Sequence, residues 1–150
     1  MVSLPRTAVA SLIAMTMAVL GAATMPVAAD AAPNACTLIT AAEASAAMGV
    51  TSLPGKARPT RKGSSCRYYS PDHKMNVFVQ TVGATDIAGA GQLGGKAVPG
   101  VGDQAIWAMG SLFLRKGGQF AQIGLYLSPK SMEHMDPAVV TLGKTAASRM

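Results

Sequence analysis

Residues 105–127, AIWAMGSLFLRKGGQFAQIGLYL, contain three short runs rich in branched and aromatic residues. Such runs are typical of β-strands. The dipeptides Gly110-Ser111 and Gly117-Gly118 separate the runs, and two-residue connections that contain glycine favour the primed turns of β-hairpins. The stretch therefore predicts an antiparallel meander. Its three predicted strands are residues 105–109, 112–116 and 119–127.

A second hairpin is predicted upstream, with arms at residues 66–69 and 74–82 joined by a turn at residues 70–73. In both hairpins apolar residues alternate with other residues along one strand, which is the pattern of a sheet with one face in the core. This alternation places in the core Met75, Val77 and Val79 of the upstream hairpin, and Ala121, Ile123, Leu125 and Leu127 of the meander.

Helices are predicted on either side of these strands. Thr40 and Glu43 have the spacing of a capping box, which predicts a helix of about two turns, and Asp136 followed by Pro137 predicts the start of a last helix. Residues 84–95 contain four glycines, each costing about 1 kcal/mol relative to alanine within a helix, so at best a frayed helix is expected there. The order α-β-β-(α)-β-β-β-α predicts an α+β fold, an antiparallel sheet of about five strands with helices packed on one face.

The composition favours one exported domain. The chain has 150 residues, 49% hydrophobic and 13% charged, which argues against wholesale disorder. Arg6 precedes an uncharged run over residues 7–29, the pattern of a secretory signal peptide, so we expect a signal peptide at 1–31 and a single periplasmic or secreted domain at 32–150. Because the run is long enough to span a bilayer, an uncleaved anchor is the alternative. After cleavage no stable transmembrane segment is expected.

Cys36 and Cys66 are the only cysteines. An even number of cysteines in an exported chain predicts a disulfide, and a loop of this length gives about 3–4 kcal/mol of stabilisation in the chain-entropy model. A redox-active pair or a metal site are the alternatives, but both usually have CxxC-type spacing or a nearby histidine. We therefore predict a structural disulfide.

The positive charge of the chain is concentrated in one segment. The formal net charge is +6, and residues 51–65 combine prolines and glycines with basic side chains, which predicts an exposed loop. If the loop has a function, we expect it to bind an unknown protein or an anionic envelope component; the alternative is a solvated loop whose charge keeps the protein soluble. Nucleic acid is not expected, because no aromatic residue is interleaved among the loop's charges for base stacking. The basic residues are Lys56, Arg58, Arg61 and Lys62, with Arg67 just beyond Cys66.

Other motifs give weaker signals. Met132, His134 and Met135 carry thioether and imidazole groups that suit Cu(I), although a polar linker whose methionines pack on the sheet is the simpler interpretation.

Residues 89–94 (GAGQLG) and 100–105 (GVGDQA) match dinucleotide-binding patterns, but neither is placed to open a helix. No cofactor is expected.

Four segments together resemble a known group of proteins. They are residues 36–43 (CTLITAAE), 48–49 (MG), 65–68 (SCRY) and 99–105 (PGVGDQA). The chain resembles small exported bacterial proteins of unknown function, many of them actinobacterial lipoproteins with paired cysteines. The resemblance implies an α+β fold, export and a cysteine pair, without an established activity. This chain lacks the lipidation cysteine of that group, so no lipid anchor is carried over.

These observations favour a non-enzymatic binding or accessory domain of the cell envelope. No nucleophile motif is present, and Glu43 and Asp136 are accounted for as helix caps. One alternative is a periplasmic copper-binding protein that uses the Met/His cluster. A second is a secreted inhibitor or immunity-type protein, and a third is an enzyme with a catalytic group at His73 or His134.

Overall fold

A computed structural model describes residues 34–126 and 135–150 of the protein. The predicted signal peptide at 1–31 and the end of the last predicted strand at Leu127 lie outside the described residues. The described chain forms four helices and seven strands. They are α1 (Ala35–Leu38), α2 (Ala41–Met48), β1 (Lys56–Thr60), β2 (Gly63–Tyr69), β3 (Asn76–Thr81), α3 (Ala84–Gln92), β4 (Lys96–Ala97), β5 (Gln104–Ala108), β6 (Ser111–Lys116), β7 (Gln119–Tyr126) and α4 (Pro137–Ser148).

The seven strands form one antiparallel sheet in the order β1-β2-β3-β7-β6-β5-β4. The predicted α+β class is confirmed, and both predicted hairpins are present. The sheet has two strands more than expected because β1 and β4 add one strand at each edge.

Strand β1 corrects the prediction of a loop at residues 51–65. Its five residues pair with β2, and the turn between the two strands consists of Arg61 and Lys62. Pro59 lies within β1 although it has no N–H to donate, which is tolerated because β1 is an edge strand with one side unpaired. The segment is thus exposed, as expected, but it is a strand with a fixed register.

Helices α1, α2 and α4 pack on one side of the sheet, the first face, and enclose the main core. The capping box of α2 is confirmed, because the Glu43 carboxylate accepts from the Thr40 N–H at 2.8 Å. Asp136 caps α4 by accepting from the Ala138 N–H at 2.8 Å. The predicted alternation is confirmed within the described residues: the fully buried side chains of the first face include Val77, Val79, Ala121, Ile123, Leu112, Leu114, Leu38, Ile39 and Val139.

The predicted disulfide is present between Cys36 and Cys66 and joins α1 to β2. The Tyr68 hydroxyl donates to the Ile39 carbonyl beside it. Together these contacts attach the N-terminal end of the described chain to the sheet.

Helix α3 differs from the expectation in two respects. It packs on the opposite side of the sheet, the second face, where Ile87 and Ala90 contact Ala108 and Phe113. It is also a formed helix. Gly95, just beyond its end, allows a close approach to β5, because a Cβ at Gly95 would come within 2.4 Å of Ile106 Cγ2. Because α3 packs against β5 and β6, no described helix covers the second face over β1, β2 and β3.

In residues 34–126 and 135–150, no helix is both long and apolar enough to span a membrane.

Candidate functional site

Lys56, Arg58 and Arg67 lie on the uncovered part of the second face, and Arg61 lies in the turn beside it. In the register of the β1–β2 hairpin, Lys56 pairs with Arg67 and Arg58 pairs with Ser65, and side chains of paired residues point to the same face. These residues and their neighbours on β3 and β7 form what we call the basic sheet surface. It consists of Lys56, Arg58, Arg61, Ser65, Arg67, Tyr69, Phe78, Gln80 and Gln122.

A row of paired residues on β2, β3 and β7 holds Arg67 in place. Arg67 pairs with Phe78, which in turn pairs with Gly124 on β7. The Phe78 ring lies against the Gly124 backbone so closely that a Cβ at this position would come within 2.2 Å of Phe78 Cε1. The guanidinium carbon of Arg67 lies 5.7 Å from the centroid of the same ring, within the range of a cation–π interaction. Gly124 thus makes room for Phe78, and Phe78 positions Arg67.

A second row carries neutral polar groups. Arg58 pairs with Ser65, Ser65 with Gln80, and Gln80 with Gln122. The side-chain amide of Gln80 donates to Gln122 Oε1 at 2.6 Å, which fixes both side chains. Within the described chain the remaining amide groups of this pair have no protein partner, so they are available to a ligand.

Two neighbouring cavities open along the β1–β2 hairpin. The first has a volume of about 260 Å³ and is lined by Lys56, Arg58, Pro59, Ser65, Arg67 and Tyr69. The second has a volume of about 250 Å³, and its lining includes Arg61, Gln80 and Gln122 together with the ion pair of Lys62 and Asp86. Both cavities therefore combine cationic side chains with neutral hydrogen-bonding groups.

The basic sheet surface carries positive charge that no described carboxylate neutralises. Within the described part of the chain, no carboxylate lies within 4.0 Å of the cationic groups of Lys56, Arg58, Arg61 or Arg67. The described acidic residues are engaged elsewhere: Glu43 with Arg149, Asp72 with Lys74, Asp86 with Lys62, Asp103 with Lys116, and Asp136 with the N-terminus of α4.

Lys62 is separated from the other predicted contact residues. Its ammonium group lies 2.6 Å from the Asp86 carboxylate, which also accepts from the Gly83 N–H at 2.6 Å at the start of α3. The hydrogen bond from Lys62, together with that from Gly83, lowers the pKa of Asp86. Lys62 therefore tethers α3 to the hairpin, and we leave it out of the basic sheet surface.

The other candidate groups are not brought together. Met132 and His134 lie outside the described residues, and Met135 is 48% exposed. No group of three or more His, Cys, Asp or Glu side chains that could hold a metal occurs in the described ranges. His73 lies in an exposed turn with its ring 5.2 Å from that of Tyr69. The copper site and the catalytic histidines stay predictions.

The two glycine motifs do not have the geometry of a dinucleotide site. Residues 89–94 form the end of α3 rather than a turn that opens a helix, and residues 100–105 lead into strand β5. The pyrophosphate of a dinucleotide needs such a turn and the N-terminus of the helix that follows it. Both motifs are thus accounted for as parts of a helix end and a loop.

Sequence reasoning identified the cations but missed the groups that organise them. The pairing of Phe78 with Gly124 and of Gln80 with Gln122 depends on β3 and β7 being neighbours. The one sequence signal was a glycine inside an otherwise apolar strand, which often marks a close approach of another group.

No protein-family model, curated protein or solved structure matches this chain. The class of protein is therefore the one that its own fold and surface define, a disulfide-bonded α+β domain with a basic sheet surface.

Proposed function

We propose that the protein is a non-enzymatic binding domain of the cell envelope, periplasmic or secreted, that binds an anionic partner through its basic sheet surface. The observation that carries this proposal is the set of four cationic side chains, Lys56, Arg58, Arg61 and Arg67, without a described carboxylate within ion-pair distance. The described Asp and Glu side chains are all engaged elsewhere, and these four cations are clustered on one hairpin, where their combined positive potential would attract an anionic partner.

The surface is organised before any ligand arrives. Arg67 is held against Phe78, and Gln80 is fixed by Gln122. Ordering flexible side chains is one of the costs of binding, so side chains that are already held bind more tightly for the same contacts. This organisation supports a binding role for the surface.

The chemistry of these residues also supports binding rather than catalysis. Guanidinium, ammonium, amide and hydroxyl groups donate hydrogen bonds to anions and to sugar or peptide oxygens. Among the residues that line the first cavity there is neither a carboxylate nor an imidazole, the groups that most often transfer protons near neutral pH.

An exported location is supported by two observations. The sequence of residues 1–31 has the signal-peptide pattern, and Cys36 and Cys66 form a disulfide, a bond that persists in oxidising compartments.

The test is binding of the purified protein to envelope fractions at low salt. The triple variant Lys56→Gln, Arg58→Gln and Arg61→Gln removes three surface charges. Exposed ion pairs contribute about 0.5–1 kcal/mol each, so we expect affinity to fall about tenfold to a hundredfold. The matched control, Lys96→Gln, Arg115→Gln and Lys144→Gln, removes the same charge from β4, β6 and α4.

The control variant should retain the affinity of the unaltered protein to within about threefold, and binding should weaken as salt shortens the Debye length. An equal loss of affinity in both triple variants would show that binding depends only on net charge and would contradict the proposal. Absence of binding by the unaltered protein would contradict it as well.

A further inference from the structure

We infer that the anionic partner is a polysaccharide of uronic acids, in which each sugar ring carries its own carboxylate; this inference rests on the proposed function. It follows from how charged and neutral groups are distributed over the basic sheet surface.

The cations are spread out rather than focused on one point. Lys56 and Arg67 are direct cross-strand neighbours, about 5 Å apart at their Cα atoms, and Lys56 and Arg58 are two residues apart on one strand, about 7 Å. Arg61 lies further along the hairpin, in the turn. A single small anion would engage only part of this array, whereas a polymer with regularly repeated charges matches it.

Both cavities combine arginine with neutral hydrogen-bonding groups, and the second also contains the Lys62–Asp86 ion pair. In the first, Arg58 and Arg67 lie beside the Ser65 hydroxyl and the ring of Tyr69, whose hydroxyl is 3.5 Å from Arg67 Nη1. In the second, Arg61 lies beside the amide pair of Gln80 and Gln122. A carboxylate matches the planar fork of an arginine, and sugar hydroxyls match hydroxyl and amide groups.

A carboxylate joined directly to the ring fits this arrangement best. In the first cavity Arg58 on β1 and Ser65 on β2 are cross-strand partners, and adjacent strands lie about 4.8 Å apart. The ligand must therefore present a charge and several hydroxyls within one sugar unit, as a uronic acid does. An acidic peptide has the charges without the hydroxyls.

The arrangement of Phe78 argues against single-stranded nucleic acid. Bases bind such proteins by stacking on exposed aromatic faces. The Phe78 ring lies against the Gly124 backbone and has the guanidinium of Arg67 over it, so the face that Arg67 covers is closed to a base.

The experiment compares four polymers of matched length in calorimetric titrations at low salt: polygalacturonate, poly-L-glutamate, dextran and single-stranded DNA. We expect polygalacturonate to bind about tenfold more tightly than poly-L-glutamate, because neutral hydrogen bonds add to the charge interaction. Dextran should not bind measurably, and the DNA should bind no more tightly than poly-L-glutamate.

Two variants separate the contribution of the neutral hydrogen bonds from that of the charges. Gln80→Leu with Gln122→Leu removes both members of the amide pair, a change that leaves no half-paired amide behind. It should abolish the preference for polygalacturonate and leave poly-L-glutamate binding unchanged. Arg58→Gln should weaken the binding of both polygalacturonate and poly-L-glutamate. If the amide variant is unfolded by circular dichroism, Tyr69→Phe tests the same preference by removing one hydroxyl.

The outcomes distinguish this inference from the proposed function. Equal affinity for polygalacturonate and poly-L-glutamate would overturn the inference and leave an anion-binding surface. Tighter binding of the DNA would overturn the inference in favour of nucleic acid. Failure of every polyanion to bind would overturn both the inference and the proposed function.

Discussion

Arg149 on the first face of the sheet and Arg67 on the second face have different kinds of contact. On the first face Arg149 makes two hydrogen bonds to the Glu43 carboxylate, at 2.6 and 2.7 Å, and a third to the Leu38 carbonyl at 3.0 Å, so it closes α4 onto α1 and α2. On the second face Arg67 contacts the Phe78 ring and has no described carboxylate within ion-pair distance. Arg149 thus stabilises the fold, whereas Arg67 is the arginine that we propose contacts a partner.

The largest expected effect is on the first face and concerns the disulfide. Replacing both Cys36 and Cys66 with Ala should lower the free energy of unfolding by about 3–4 kcal/mol, because the unfolded chain regains the entropy of the open loop. Denaturant unfolding of the oxidised protein and the variant measures this difference. A loss below about 1 kcal/mol would contradict the structural role of the bond.

The next largest effect is expected from replacing Gly124, which lies against the Phe78 ring on the second face. In Gly124→Ala the new Cβ would clash with the Phe78 ring, and overpacking of this kind costs about 1–3 kcal/mol. Displacing the ring should also displace Arg67, so polyanion affinity should fall together with stability. The matched control is Gly124→Ala combined with Phe78→Ala, in which the clash is absent. If polyanion affinity were unchanged in Gly124→Ala, Phe78 would not position Arg67.

A smaller effect, with a defined pH dependence, is expected from Glu43. The hydrogen bonds from Arg149 lower the pKa of Glu43 from 4.5 to about 2. Because the pKa is lower in the folded state, the stabilisation is complete above pH 4.5 and is lost as the pH falls towards 2. The side chains of Glu43 and Arg149 are 29% and 34% exposed, so we expect about 1–2 kcal/mol after solvent screening.

The measurement is the free energy of unfolding of Glu43→Gln and of the unaltered protein from pH 7 to pH 2. The difference should be about 1–2 kcal/mol at pH 7 and should shrink towards zero at the acidic end. A difference that stays constant over this range would mean that the charge of Glu43 is not responsible. Polyanion binding at pH 7 should be unaffected, since Glu43 lies on the first face.

The smallest effect is expected at the β5–β6 turn, which lies outside the basic sheet surface. Met109 has φ 49° and Gly110 has φ 70°, and Met109 is 59% exposed. A left-handed backbone is costly for methionine and less so for asparagine, so Met109→Asn should stabilise the protein by about 0.5–1 kcal/mol. Thermal unfolding measures the change, and a destabilised variant would show that the Met109 side chain has a packing role.

Much of the fold was predictable because local chemistry and tertiary structure agree. The glycine-containing dipeptides of the meander, the Thr40–Glu43 capping box and the Asp136–Pro137 helix start each have a physical requirement that is visible in the sequence. The turn of the β5–β6 hairpin lies one residue earlier than expected, at Met109 and Gly110.

The errors arose where a distant contact determines the local structure. Pro59 argues against a strand unless the strand lies at an edge, and edge position is a property of the whole sheet. The four glycines of residues 84–95 argue against a helix until the burial of Ile87 and Ala90 against the sheet is known. In the site, four of the five predicted cations share one surface, but Lys62 is held by Asp86, which is 24 residues away.

The most direct test of the central claim is to map backbone amide chemical shifts by NMR while polygalacturonate is added to the purified protein. The account predicts that the shifts which change belong to β1, β2 and the adjacent parts of β3 and β7, including Arg67 and Gln122, and that the changes diminish as salt is raised. Changes confined to α2 and α4, or spread evenly over both faces of the sheet, would contradict it.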